Sequence, residues 1–387
     1  MNTTNTTGTT GTKREKFDLK RPDARTIADR IVHGAFITEG TMAAFPTCFP
    51  AVTTPLPGDE SHLTALDVAP DGMLYAGTSG RAAHLLVGMF HGVTGMVFDM
   101  GTVPGATRCT GIACGKERFL AAANGPAGGT LIGRKLEPLP FDLIQEWHVA
   151  RKPLEPVAAP LEGEPVVHVL AAGVGELAVV STPTRLLTVD LATSAVRVIG
   201  AAPGSGPMAR GSKGGIFARD ERDTLWRFDP ASGKLERRAV ALPAAEADAK
   251  DRTDMRGWMS WARDTIDGTL YTADAAGRLY AFSEDKGFSA ALAQVPAPPV
   301  GPMAVTLDGR VYGTFGAGMS MLFVLDPARG TLRTLGVAAS TLERRRYGYS
   351  FAAAATGRDG QIFFGEDDDL GHVFMYFPRI QPKVVAT

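Results

Sequence analysis

The chain has 387 residues, of which 44% are hydrophobic, and a formal net charge of −1. This near balance provides no overall basic field, so nucleic acid and anionic membrane surfaces are excluded as default partners. No apolar stretch approaches the length of a membrane span, and Met1–Gly11 lacks the apolar core of a secretory signal. Any preference for a charged ligand must therefore come from a local group of side chains.

The N-terminal region is poor in apolar residues. Residues 1–22 are rich in Thr, Asn and Gly and are predicted to be a disordered tail. Farther along, the only cysteines are Cys48, Cys109 and Cys114, an odd number without the spacing of metal ligands. This usage predicts a protein of the reducing cytoplasm rather than a disulfide framework.

A repeated four-stranded unit follows and is most complete between residues 301 and 336. Its first hairpin turn is Asp308-Gly309, and its last two strands are joined by residues 326–330, Asp-Pro-Ala-Arg-Gly. The first turn recurs as Asp71-Gly72, Asp267-Gly268 and Asp359-Gly360, and the second recurs as Asp229–Gly233. Asp and Gly suit such turns because glycine adopts positive φ angles without steric cost.

The repeat predicts one domain over residues 23–387. A period of about forty to fifty residues is typical of β-propellers. The units cover residues 61–106, 107–164, 165–206, 207–255, 256–299, 300–347 and 348–387. Because the last unit has three strands, a strand near residues 31–38 is predicted to complete it and close the ring. The predicted fold is an all-β, seven-bladed propeller of four-stranded antiparallel blades, with six or eight blades as alternatives.

Basic or titratable residues occur where the innermost strand of nearly every unit is predicted to begin. In a propeller, the loops before these strands and those between second and third strands lie around one end of the central channel. The residues are His62, Arg108, His168, Arg210, Arg256 and Arg346. The four arginines are predicted to bind a carboxylate or phosphate, and Trp258 and Trp261 to stack on a sugar ring. The alternative is that these are solvated loop charges.

Histidines suggest a metal site between the first and last units, which are neighbours in a closed ring. His84 and His372 occupy matching positions, and the acidic run Glu366–Asp369 precedes His372. Together with His62 and Asp367, they are predicted to hold a divalent metal such as zinc or manganese. The alternative is that the histidines only pack or form hydrogen bonds within their blades. No glycine-rich phosphate loop precedes a helix, so no nucleotide cofactor is expected.

The Asp-Gly turns followed by apolar and aromatic residues, spaced across residues 61–377, resemble the seven-bladed propellers of the streptogramin-lyase and oligogalacturonate-lyase type. This resemblance implies a metal site with histidine ligands on one face. In such families, the site assists β-elimination from an acidic or ester substrate.

Two functions are consistent with the sequence. The first is a metal-assisted carbon–oxygen lyase, or a hydrolase, that acts on an anionic saccharide or small carboxylate at the channel mouth. His168 or Tyr347 would be its general base. The second is a non-catalytic scaffold or ligand sensor for a protein partner. Convergence of the histidines would favour the enzyme, and an exposed apolar patch would favour the scaffold.

Overall fold

The computed structural model describes residues 39–47, 55–92, 94–136, 154–158, 163–204, 206–220, 224–243, 260–340 and 347–379. The predicted disordered tail, residues 1–22, and the predicted strand near residues 31–38 lie outside these ranges. Over the described ranges the fold is a series of antiparallel strands, with one short 3-10 helix at Gly58–Glu60. No helix in them has the length and apolar composition needed to cross a membrane.

The described strands form antiparallel sheets that follow one another in chain order and that we count as seven blades, of which the first two are joined into one eight-stranded sheet by the pairing of Ser79 with Arg108. After β1 (Gly40–Pro46), the first two blades contain β2 (His62–Val68), β3 (Leu74–Ser79), β4 (His84–His91), β5 (Thr94–Thr102), β6 (Arg108–Cys114), β7 (Arg118–Gly125), β8 (Gly128–Lys135) and β9 (Glu155–Ala158). The third and fourth contain β10 (His168–Ala171), β11 (Leu177–Ser181), β12 (Arg185–Asp190), β13 (Val196–Ala201), β14 (Ala209–Arg210), β15 (Ile216–Arg219), β16 (Thr224–Asp229) and β17 (Lys234–Ala241).

The remaining blades complete the ring. They contain β18 (Ala262–Arg263), β19 (Leu270–Ala273), β20 (Arg278–Ser283), β21 (Gly287–Phe288), β22 (Ala293–Gln294), β23 (Val300–Val305), β24 (Val311–Phe315), β25 (Met321–Asp326), β26 (Thr331–Val337), β27 (Phe351–Thr356), β28 (Ile362–Glu366) and β29 (His372–Pro378). In the fifth blade, β21 and β22 both pair with β20. The first strands of neighbouring blades, such as β2 with β6, β6 with β10, and β23 with β27, lie beside one another and are therefore innermost.

The predicted hairpin turns form for local reasons. Gly72, Gly268, Gly309 and Gly360 have φ angles between 77° and 91°, which side-chain-bearing residues rarely adopt. In three of these turns the preceding aspartate, Asp71, Asp267 or Asp308, accepts a hydrogen bond from the backbone N–H two residues later, as Asp267 does from Thr269 at 2.8 Å. These contacts depend only on neighbouring residues, so the turns could be recognised without the rest of the fold.

The N-terminal strand closes the ring. β1 pairs antiparallel with β29, from Gly40 opposite Pro378 to Pro46 opposite His372. The closing strand therefore begins later than the predicted residues 31–38. Its sequence, GTMAAFP, contains two alanines, which have weak strand propensity, so it did not stand out as a strand. Its position is fixed by packing, because Met42 is completely buried.

Buried apolar clusters lie between each pair of neighbouring blades in the described residues. Two members of each cluster, one from either blade and starting between the first and second blades, are Tyr75 and Phe119, Leu120 and Val180, Val179 and Trp226, Phe217 and Phe282, Tyr271 and Phe323, Tyr312 and Tyr376, and Leu86 and Phe363. The last pair joins the seventh blade to the first. Burial of both blade faces explains why inner strands such as β11, LAVVS, are nearly continuous apolar runs.

Candidate functional site

The ring has two mouths. The upper mouth is the end at which the innermost strands begin, marked by His62, Arg108 and His168, the first residues of β2, β6 and β10. The lower mouth is the end at which they finish, marked by Arg210 and Arg263, the last residues of β14 and β18. Side chains at the two mouths therefore belong to different sites.

His62 lies at the upper mouth between two carboxylates of the last blade. Its Nδ1 is 3.0 Å from Oδ1 of Asp367, and its Nε2 is 3.0 Å from Oδ1 of Asp369. Burial alone lowers the pKa of His62, but the hydrogen bonds to these two aspartates outweigh it and raise the pKa above 6.5. The two carboxylates therefore favour the protonated form of the imidazole. The side chain of Asp369 is 72% exposed, so the Nε2 contact faces solvent.

Arg108 lies near His62 because of strand register. Ser79 of β3 pairs with His62 on one side and with Arg108 on the other. Because Ser79 lies between them, the backbones of His62 and Arg108 are separated by two interstrand spacings, about 10 Å. Arg108 is exposed, so its guanidinium is available to a carboxylate bound beside His62.

Exposed apolar side chains lie on neighbouring loops of the same mouth. Met319, Tyr349 and Leu370 are between 43% and 46% exposed. The backbone N–H of Ser320 donates to the carbonyl oxygen of Tyr349 at 2.6 Å, which brings the first two loops together. The Ser350 hydroxyl donates to the carbonyl oxygen of Asp367 at 2.5 Å, which connects them to the carboxylates around His62.

His84 has carboxylate partners different from those of His62. Its Nε2 is 2.9 Å from Oε2 of Glu60, and its Nδ1 is 3.0 Å from Oδ2 of Asp99. Burial opposes its charge, but the bonds to Asp99 and Glu60 raise its pKa above 6.5. The hydrogen bond from His84 is the main reason that the pKa of Glu60 is lowered from 4.5, and Arg81 contributes through a 2.7 Å bond.

His372 forms a third separate pair, with its Nδ1 2.9 Å from Oε2 of Glu366 and both side chains buried. The predicted metal cluster of His62, His84, His372 and Asp367 therefore does not assemble as one ligand set. In the described ranges, no group of three or more His, Cys, Asp or Glu side chains is arranged to hold a metal ion. Both ring nitrogens of His62 and of His84 face carboxylates of the described residues.

The other predicted site residues have different environments. His168 accepts a 3.3 Å hydrogen bond at Nδ1 from the backbone N–H of Met208, and burial lowers its pKa to about 4. It is thus a neutral imidazole with its proton on Nε2, a donor rather than a base. Trp261 donates from Nε1 to the carbonyl oxygen of Pro207 at 3.2 Å, and it packs against the cluster between the fourth and fifth blades. Tyr347 is partly buried and forms a bridge with Ala339.

Three predicted ligand-binding residues, Arg256, Arg346 and Trp258, lie outside the described residues. Arg210 is at the lower mouth and not at the start of an innermost strand, because it ends β14 and pairs with Ile216 beside the turn to β15. Arg263, which the sequence reasoning missed, occupies the matching place in the next blade. The signal was the shared pattern Met208-Ala209-Arg210 and Trp261-Ala262-Arg263.

No family model matches the sequence, and no curated protein matches it. Solved structures with a similar fold include a catalytically inactive virginiamycin B lyase from Staphylococcus aureus with quinupristin, at 9% identity and a TM-score of 0.58, covering 88% of this chain and 100% of that one. The WD40 β-propeller domain of Doa1 has 11% identity and a TM-score of 0.54, with 86% and 98% coverage.

The extracellular domain of a putative one-component system from B. thetaiotaomicron has 11% identity and a TM-score of 0.53, with coverage of 86% of this chain and 39% of that one. These proteins include both a lyase and a WD40 domain. At such low identities, the likeness establishes the β-propeller architecture and leaves the activity to be argued from the site.

Proposed function

We propose that the upper mouth binds a small carboxylate or anionic saccharide and that the protein is a carbon–oxygen lyase with His62 as its proton donor. One observation carries the proposal: His62 has Asp367 on Nδ1 and an exposed carboxylate, Asp369, on Nε2. A buried structural histidine would not present one ring nitrogen to solvent through a contact that a ligand can replace.

The proposed chemistry assigns a separate task to each side chain. Asp367 fixes the ring and stabilises the imidazolium, while Arg108 binds the carboxylate of the ligand. When the ligand replaces Asp369, the Nε2 proton of His62 is directed toward the leaving oxygen. Tyr347 is the proposed base that removes the proton next to the carboxyl group, because His168 already carries its proton on Nε2.

Metal assistance is a separate proposal, since the acid role of His62 does not require it. Elemental analysis of the purified protein for zinc and manganese tests it directly. His62→Gln is the informative variant for this metal analysis. The buried pairs of His84 and His372 make substitutions there a test of folding instead.

Exposure of Met319 and Tyr349 supports a second candidate function, a scaffold that binds a protein partner through this mouth. The two candidates differ in their dependence on His62. A lyase requires its proton, whereas a docking surface requires the apolar side chains.

The test is a screen of acidic oligosaccharides and of carboxylates and esters with a β-oxygen leaving group, followed by the ultraviolet absorbance of the unsaturated product. We expect turnover by the wild type, a loss of about 10²-fold or more in kcat for His62→Gln, and a similar loss for Asp367→Asn. Asp59→Asn is the matched control, because Asp59 is an exposed acid near this mouth that pairs with Arg81. Turnover that survives His62→Gln would contradict the proposal.

A further inference from the structure

The lower mouth contains two neighbouring guanidinium groups. Arg210 lies directly over Gly173, the glycine that follows the innermost strand of the third blade. A Cβ on Gly173 would be 1.3 Å from Nη1 of Arg210, so the guanidinium occupies space that only glycine leaves open. The φ of Gly173, +73°, also suits glycine.

Arg263 holds its place through a contact with the preceding blade. Its Nε donates to the carbonyl oxygen of Arg210 at 3.0 Å, which leaves its two terminal nitrogens for another partner. Arg210 and Arg263 are close enough that repulsion by Arg210 lowers the pKa of Arg263, after the larger effect of burial. Two positively charged side chains are thus held close together at the lower mouth.

These two arginines have few protein acceptors. Neither forms a salt bridge with a carboxylate in the described part of the chain, and the Arg210 side chain donates no hydrogen bond to a described residue. The nearby acids do not neutralise the pair directly. Asp67 accepts from the backbone N–H groups of Val68 and Cys114, at 2.9 and 2.8 Å, and attracts Arg210 only through space.

Asp264 and Asp267 likewise act on Arg263 through space, and repulsion by Arg210 outranks both. Asp264 accepts from the backbone N–H of Ile266 at 2.8 Å, and Asp267 from that of Thr269. Each acid therefore accepts at least one hydrogen bond from its own loop. A half-buried guanidinium that lacks an acceptor is costly unless a ligand or solvent provides one.

We propose that the lower mouth binds a small oxyanion, a carboxylate or a phosphate, between the guanidinium groups of Arg210 and Arg263. Arg210 can donate from all of its guanidinium N–H groups, and Arg263 can donate from its two terminal nitrogens. This donor geometry matches the paired oxygens of a carboxylate or phosphate. This site is at the opposite end of the channel from His62, and it does not depend on the proposed lyase activity.

The experiment is calorimetric titration of the full chain with inorganic phosphate and, separately, with succinate, at an ionic strength held constant with sodium chloride. We expect saturable binding of at least one anion, and the stronger binder identifies the ligand chemistry. Arg210→Gln and Arg263→Gln should each weaken binding at least tenfold. Arg329→Gln removes a 75% exposed guanidinium in the turn between β25 and β26 of the sixth blade, and it should leave anion binding unchanged.

Gly173→Ala provides a second variant that keeps both charges. Its Cβ displaces the Arg210 guanidinium, so binding should weaken even though the net charge is unchanged. Circular dichroism of each variant checks that the blades remain folded. The proposal is overturned if the wild type binds neither anion saturably, or if Arg210→Gln, Arg263→Gln and Gly173→Ala bind as tightly as Arg329→Gln.

Discussion

Two histidine–carboxylate pairs of nearly equal length should differ greatly in their contributions to stability. Glu366 and His372 are 2.9 Å apart and at most 1% exposed. Asp369 and His62 are 3.0 Å apart and are 72% and 30% exposed. Because water solvates the second pair and not the first, we predict that Glu366→Gln destabilises the fold strongly and Asp369→Asn hardly at all.

The expected magnitudes follow from burial. A buried hydrogen bond to a charged group contributes about 1.5–3 kcal/mol, and breaking a buried pair costs about 3–5 kcal/mol. Glutamine retains an oxygen that can still accept from His372, so we expect a loss of about 2–3 kcal/mol for Glu366→Gln. Exposed pairs contribute about 0–1 kcal/mol, so Asp369→Asn should cost less than about 1 kcal/mol.

Urea unfolding of both variants beside the wild type measures these values. The midpoint should fall clearly for Glu366→Gln, with an unchanged dependence on urea concentration. Equal losses in the two variants, within about 0.5 kcal/mol, would refute the reasoning that burial decides between these pairs.

Three further predictions concern pH, the closing strand and the cysteines. The raised pKa of His84 stabilises the fold below pH 6.5 and is lost as pH rises through its folded value, while the lowered pKa of Glu60 stabilises it above pH 4.5 and is lost as pH falls. The wild-type urea midpoint should therefore be highest between pH 4.5 and 6.5, where both contributions are present in full. In His84→Gln the midpoint should fall less as the pH rises above this range. An identical fall in the variant and the wild type would contradict the assignment. Met42→Ala should cost about 2–5 kcal/mol in the same assay, because Met42 is fully buried between the last two blades, whereas Thr41→Ala on the same strand should cost less than about 1 kcal/mol. Burial raises the pKa of Cys109 to about 12 and that of Cys114 as well, so both thiols should resist iodoacetamide until urea unfolds the chain; rapid labelling of either, seen by mass spectrometry, would show that the ring opens.

Features that depend on neighbouring residues could be predicted from the sequence. The Asp-Gly turns are local, and their spacing gave the order of the blades. His62 and Asp367 were expected to meet as members of a larger metal cluster because the first and last blades adjoin in a closed ring; these two side chains are 3.0 Å apart, whereas His84 and His372 pair with other carboxylates. The closing strand was placed too early because it has weak strand propensity and is positioned by contacts with residues more than 300 positions away.

Partners that depend on strand register could not be predicted. β4 and β5 shift register between Leu85 and Leu86, and this shift accompanies the contact between Asp99 and His84. The sequence gives no sign of such a bulge. Arg210 was assigned to the wrong mouth for a related reason, since its pairing with Ile216, beside the turn to β15, decides which end of the ring it occupies.

The proposed lyase uses His62 as its acid, so the proposed function depends on the protonation of this residue. Titration of the His62 ring protons by NMR should give a midpoint above pH 6.5 in the wild type, and a lower midpoint in Asp367→Asn. A wild-type midpoint at or below pH 6.5 that Asp367→Asn does not change would contradict the account, because His62 would then have neither the charge nor the partner that the mechanism requires.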